Sequence, residues 1–263
     1  VNVSGKKILL TGATGGLGHA IARHLAAAGA HVVVSGRRGD VLVALAGEIG
    51  GEVAPADLSD AAAVRALAVT HGDADVLVAN AGLPASGRLE SYEDDQIERA
   101  LRVNLHAPIL LAHALTPQMV ARGSGHVVFM SSLAGKTATA GSSLYNATKF
   151  GLRGFAGALR AELHGTGVGV SSIFPGFIRD AGMFADANVK LPFGVGTKSP
   201  EQVAEATLRA IERDRGEIDV APFSLKAGAL LGGIAPETAA KVTRASGGAK
   251  VADQFERGQM DKR

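Results

Sequence analysis

A phenol and an amine stand one helical turn apart in S-L-Y-N-A-T-K-F-G, residues 143–151: they are Tyr145 and Lys149. The chain has only two tyrosines, so a spacing of four is worth reading as chemistry. A phenol titrates near pH ~10, too high for easy proton exchange at neutrality. A cation on the same helical face favours the phenolate and lowers that value. The pair could therefore give and take a proton wherever the fold sets a reacting group against it. On spacing alone, a helix that happens to carry both side chains explains the stretch equally well.

A second candidate is T-G-A-T-G-G-L-G at 11–18. It follows the apolar run K-K-I-L-L (6–10) and opens the Ala/Leu-rich stretch 16–29. A helix start presents unpaired N–H groups and the positive end of a dipole, which together attract phosphate. Gly12, Gly16 and Gly18 let the chain turn sharply and let a pyrophosphate come close, although the spacing is not the familiar G-x-G-x-x-G.

The elements that must position these groups alternate regularly. Apolar, β-branched runs at 6–10, 31–35, 51–57, 75–82, 125–132, 168–176 and 217–222 read as strands. Helical stretches fall between them, at 16–29, 40–50, 59–71, 93–122, 143–165 and 199–214, with a bend expected near Pro108 and Pro117. The strands are continuously apolar, as in a parallel sheet buried on both faces. The expectation is an α/β chain, a doubly wound Rossmann-type parallel sheet of about seven strands with helices on both faces. It forms one domain over 1–222, and residues 223–263 are an extension packed on it or used in oligomer contacts. Tight turns and Gly12–Gly18, Asp57, Asn80–Gly82, Ser132 and Pro175–Gly176 all fall at strand C-termini, where such a sheet binds ligands.

Composition narrows the partners. A formal net charge of +2 argues against a basic nucleic-acid-binding face. The absence of cysteine excludes disulfides and thiolate metal sites. The eight histidines are scattered with no H-E-x-x-H, so no metal is expected, and Asp94–Asp95 read as a solvated helix start. No apolar run reaches the ~20 residues of a membrane-spanning helix, and V-N-V-S-G-K-K-I-L-L is too short in apolar residues for a signal peptide. A cytoplasmic protein without integral membrane association is expected.

Taken in order, T-G-A-T-G-G-L-G, D-L at 57–58, N-A-G at 80–82, Asn104, S-S at 131–132, Y-x-x-x-K at 145–149 and P-G at 175–176 resemble the short-chain dehydrogenase/reductase family of the core, roughly 250-residue type. The resemblance covers most of the chain. It implies that Tyr145 is the general acid/base, that Lys149 tunes it and binds the nicotinamide ribose, and that Ser132, thirteen positions before the tyrosine, holds the substrate oxygen. Ser131 is the competitor for that role. Asn104 would kink its helix around a water and feed a proton relay to Lys149. The cofactor would rest on Gly12, Thr14, Gly16, Leu17 and Gly18, on Asp57 and Leu58, on Asn80, Ala81 and Gly82, on Tyr145 and Lys149, and on Pro175, Gly176 and Ile178.

The second strand ends S-G-R-R. Gly36 stands where an acidic residue would hold a ribose 2′-hydroxyl, and Arg37 and Arg38 follow. Guanidinium forks suit a phosphate, so NADP(H) is favoured, with NAD(H) possible; two solvated arginines are the alternative. Two departures from the family pattern stand out. Asp180 occupies the place of a threonine that touches the cofactor, and the chain runs on past the usual last strand. A homodimer or homotetramer is expected, though that longer tail means the tetramer should not be assumed. Phe177, Met183, Phe184, Leu191, Pro192 and Phe193, with Leu83, Leu133 and Leu144, suggest an apolar pocket for a small carbonyl or alcohol substrate; ordinary lid packing is the other reading. G-A-L-L-G-G-I-A in the tail could cover that pocket, form a dimer contact or touch a membrane surface. The competing function is a cofactor-bound regulatory or scaffold protein that keeps the fold without turnover.

Overall fold

The computed structural model describes the chain except residues 188, 190, 192–194, 246–247 and 260–263, and the side chains of 243–252. The expected elements Pro192 and Phe193 therefore lie outside the described residues. Among the described residues, seven parallel strands form one sheet in the order β3-β2-β1-β4-β5-β6-β7. They are β1 (Lys7–Thr11), β2 (His31–Gly36), β3 (Glu52–Pro55), β4 (Val76–Ala79), β5 (Gly125–Met130), β6 (Val168–Pro175) and β7 (Glu217–Val220). The strand order reverses between β1 and β4, and at such a switch point the connections diverge and leave a crevice at the strand C-termini.

Successive strand side chains point to opposite faces, so an unbroken apolar run supplies two cores. Ile8 and Leu10 of β1 pack on one side with Ile21 and Leu25 of α1 (Gly16–Ala27), Leu42 and Leu45 of α2 (Gly39–Ile49) and Val203 and Ala210 of α8 (Pro200–Arg213). Leu9 packs on the other side with Val64 of α3 (Ala61–Thr70), Leu111 and Leu115 of α5 (Ala107–Ala121) and Leu152 of α6 (Ser143–Glu162). Phe129 at the centre of the second core is fully buried and meets Phe155 edge-on at 5.6 Å; burying such a ring contributes about 2–3 kcal/mol. His126, buried in β5, accounts for one scattered histidine. Burial pushes it down to about 4, so it is neutral, and its Nε2 lies 2.8 Å from the Ser171 hydroxyl.

The helical stretch 93–122 departs from expectation. It is not one regular helix, and the irregularity falls one turn before Pro108. α4 (Asp94–Leu101) runs into a π-helical turn, Arg102–His106, which leads straight into α5. Pro108 has no N–H to donate to the carbonyl four residues back, which is that of Asn104, so the regular ladder cannot close there. Pro117 lies inside α5 without ending it. After β6 come the short α7 (Gly182–Ala187) and α8; after β7 come α9 (Phe223–Ile234), α10 (Pro236–Ala245) and α11 (Gly248–Gln259). α9 carries the G-A-L-L-G-G-I-A stretch. Its Ala229 packs with Leu133, Phe174 and Ala221, while Leu230 and Ile234 face outward. Among the described residues no helix is long and apolar enough to cross a membrane.

Candidate active site

A cleft of about 890 Å³ opens at the C-terminal ends of β1, β2, β4, β5 and β6. Every residue singled out from the sequence for catalysis or cofactor binding borders it, except Asn104, which stands behind its wall.

Its floor is the turn between β1 and α1. Gly12 has φ +67°, and a Cβ there would fall 2.6 Å from the Ala81 Cα, so only glycine lets β4's end approach. Asn80 locks that approach. Its Nδ2 donates to the carbonyls of Thr11 (3.1 Å) and Gly12 (3.2 Å), and Ala81 N–H donates to the Thr11 hydroxyl at 3.2 Å. Asn80 is thus a strut between two strand ends as well as a residue of the cleft wall. Thr11, its partner, was not singled out from sequence.

At the end of β2, Arg37 and Arg38 both border the cleft. An Nη of Arg38 donates to the Thr14 carbonyl, tying it to the glycine-rich turn. Arg37 is exposed. A Cβ on Gly36 would meet the Thr14 methyl at 3.0 Å and its hydroxyl at 3.2 Å. An acidic side chain at that position would press on Thr14. Asp57 accepts from the Ser59 N–H (2.9 Å) and hydroxyl (2.8 Å). The Ser59 hydrogen bonds, with weaker help from Arg37 and Arg99, hold its carboxyl below the usual range against the opposing effect of burial. Arg99 and Val103 also border the cleft and were missed. They stand at i and i+4 on the segment leading into the π turn, the spacing that puts two side chains on one face.

The wall opposite is built by β5, β6 and α6. Ser131 and Ser132 both reach the cleft, and their bonding separates them. Buried Ser131 donates to the Lys149 carbonyl at 3.2 Å, fastening α6 to the end of β5. Ser132 is only half-buried; its hydroxyl accepts from Ala134 N–H at 3.2 Å, lies 3.4 Å from the Pro175 carbonyl and is near enough to the Tyr145 phenol to draw its pKa down. The Lys149 ammonium is buried, donates to the Met130 carbonyl at 2.9 Å and sits 5.6 Å from the centre of the Tyr145 ring. Asn104 spends its side chain on Leu83: its Oδ1 accepts from that N–H at 2.6 Å and its Nδ2 donates to that carbonyl at 3.0 Å.

Charge balance here differs from the expectation that the lysine lowers the tyrosine's pKa. Burial pushes Tyr145 up to about 12, outweighing the Ser132 hydroxyl, which pulls it down. Burial also pushes Lys149 down to about 8. Desolvation penalises both charged forms and is the largest effect on each.

The lysine shift predicts an effect on stability. An unfolded lysine titrates at 10.5, so the buried charge costs stability in full below pH ~8, and that cost fades as pH rises to ~10.5. A shift of this size amounts to ~3 kcal/mol, offset by about 1 for the bond to Met130. Lys149→Met should therefore resist urea better than the parent at pH 7, with an advantage that shrinks between pH 8 and 10. A variant less stable at pH 7, or an advantage that grows with pH, would contradict this.

A family model described as short chain dehydrogenase matches residues 6–191. The chain belongs to the short-chain dehydrogenase family. It is accordingly an oxidoreductase of the CH–OH/C=O couple. Ketoacyl reductase HetN of Nostoc sp. is 37% identical over 227 residues, covering 83% of this chain and 79% of that protein. A short-chain dehydrogenase from Sphingobium yanoikuyae in complex with NADPH has a TM-score of 0.77 at 26% identity, covering 89% of this chain and 95% of that one. A 3-ketoacyl-(acyl-carrier-protein) reductase from Brucella melitensis complexed with NADH reaches 0.74 at 27% identity, with 83% and 97% covered.

Against the family pattern, Asp180 is the departure with a local consequence. It has φ +66°, borders the cleft, and pairs with Arg179 at 3.3 Å while remaining largely exposed. The pocket expected from apolar residues is smaller than foreseen. Leu83, Met183 and Phe184 border the cleft, but Leu133 packs with Phe174 and Leu144 with Ala85, Tyr92 and Ala100, each filling a minor core. Alternation of apolar residues in sequence does not say which of two sides a loop side chain takes.

Proposed function

We propose that this short-chain dehydrogenase reduces a small, apolar ketone or aldehyde with NADPH. The observation that carries the reading is that Ser132, Tyr145 and Lys149 border one cleft, with the Lys149 ammonium 5.6 Å from the centre of the Tyr145 ring. A nicotinamide dinucleotide bound in the cleft supplies the hydride. Its phosphates suit the N-terminus of α1 and the glycine-rich turn. Its adenosine suits the wall formed by Asp57, Leu58 and Arg99, and a 2′-phosphate suits exposed Arg37. The Lys198 amide donates to the Phe177 carbonyl and the Arg179 amide to the Lys198 carbonyl, both at 2.9 Å. In a parallel bridge of this kind the intervening Ile178 turns its own N–H and C=O the other way, free for a carboxamide.

The protein's part in the chemistry is positioning and proton supply. The Ser132 and Tyr145 hydroxyls donate to the substrate oxygen and stabilise the charge that grows there. The Tyr145 proton then passes to that oxygen, giving the alcohol. A protonated phenol is the acid that reduction needs, and the same group as phenolate is the base for the reverse reaction. The Lys149 charge stabilises the phenolate left behind. Asn104, by holding the Leu83 backbone, fixes the wall beside Gly82 and Lys149.

The test is NADPH consumption across ketones of graded size. The reading expects at least one apolar ketone to be turned over; consumption of none would overturn it. Asp180 supplies a narrower test. Its carboxylate stands near the phosphate end of the cleft and weakens the hold on an anionic cofactor. Asparagine tolerates the same left-handed backbone. Asp180→Asn should lower the NADPH Kd about threefold at low ionic strength and less in high salt. A Kd that is unchanged or raised would show that the carboxylate does not oppose the cofactor.

A further inference from the structure

The last described helix, α11, returns from beyond β7 and packs on two segments, the loop after β4 and α7 at the edge of the cleft. On the loop, the Arg88 amide donates to Glu256 at 3.3 Å. On α7, Gln259 is buried and its Nε2 donates to the Met183 carbonyl at 3.2 Å. A Cβ on Gly258 would fall 2.6 Å from the Ala187 carbonyl oxygen, so α11 lies almost backbone to backbone against the end of α7. Between these points Phe255 stacks on Phe177 at 6.0 Å and 22°, and meets Phe184 at 6.1 Å; Phe177 and Phe184 are 5.1 Å apart. Phe184 and Met183 border the cleft, but Phe255 does not. Phe255 thus backs the apolar wall from outside.

We propose that α11 is a clamp on the 177–187 segment and that Phe255, by holding Phe184 against the cleft, sets the size limit of the carbonyl substrate. The proposal rests on the ketone-reductase reading for its substrate and on the packing alone for the clamp. An apolar wall discriminates by whether a substrate group fills the space beside it, at about tenfold or more per small group. A short segment such as α7 has little core of its own, so its order depends on what packs over it. Aromatic pairs of this geometry supply that order.

Two variants act on the clamp without touching the cleft. Phe255→Ala removes the backing ring, and Gly258→Val pushes the helix off α7 while keeping Phe255. Both should speed amide hydrogen exchange across 177–187 about tenfold, with the sheet unchanged. Both should also raise the ratio of kcat/KM for a phenyl ketone to that for acetone about tenfold, and Phe255→Leu should recover part of it. Exchange at the parental rate in both variants would overturn the clamp. Faster exchange with an unaltered substrate ratio would overturn the role in size selection. The exchange measurement needs no turnover. A parent that reduces no ketone would defeat the reductase reading and leave exchange alone to decide whether α11 clamps.

Discussion

Replacing Tyr145 with phenylalanine should lower kcat for ketone reduction by about three orders of magnitude and leave the NADPH Kd within a few-fold. The substitution removes one oxygen and keeps the ring that packs beside Leu144 and Ile97. The loss has two parts. General acid catalysis by a placed side chain contributes roughly 10²–10⁴-fold. One of two hydroxyl donors to the developing oxyanion is also lost, a contact of similar value in related arrangements. These overlap rather than multiply, because one proton does both jobs. Ser132→Ala should cost less, since the tyrosine remains. The phenylalanine variant should also lose the pH dependence of the parent. A fall of less than tenfold, or an equal fall in cofactor affinity, would remove Tyr145 from the proton path.

The second large effect concerns the choice of dinucleotide. Arg37→Ala should raise the KM for NADPH by ten- to a hundredfold and leave that for NADH within twofold. Arg37 is exposed at the end of β2, whereas Arg38 is tied to the Thr14 carbonyl. A guanidinium–phosphate pair with partial solvent access contributes roughly 1.5–3 kcal/mol. The reverse change is constrained by packing. Gly36→Asp alone should not create good NADH binding, because its side chain meets Thr14; the acid needs Thr14→Ala beside it. Equal effects of Arg37→Ala on both cofactors would show that the arginine recognises charge without recognising the 2′-phosphate.

The sequence carried what is local. Tyr145 and Lys149 share a helix, the glycine-rich turn lies between one strand and one helix, and continuous apolar strands announce a sheet covered on both sides. These follow from spacing within a few residues. The doubly wound parallel sheet was legible for the same reason. The rest depends on contacts between distant segments. Nothing near Asn80 says that its amide holds Thr11 and Gly12. The π turn at 102–106 was hidden because Pro108 suggests a bend at the proline itself, while its effect falls one turn earlier. Leu133 and Leu144 read as pocket residues and instead fill minor cores. The direction of the Tyr145 shift was misjudged because a neighbouring charge is visible in sequence and burial is not. Phe255 lies far along the chain from Phe177, and no periodicity links them.

The central claim is that this protein moves a hydride to a carbonyl carbon under proton control by Tyr145. The most direct measurement uses NADPH deuterated at the transferring position with an apolar ketone, and reads deuterium in the product by NMR for the parent and for Tyr145→Phe. The account predicts one deuterium on the carbinol carbon of a single enantiomer in the parent, formed about a thousandfold more slowly in the variant. Alcohol without deuterium at that carbon, or equal rates in the two proteins, would contradict it.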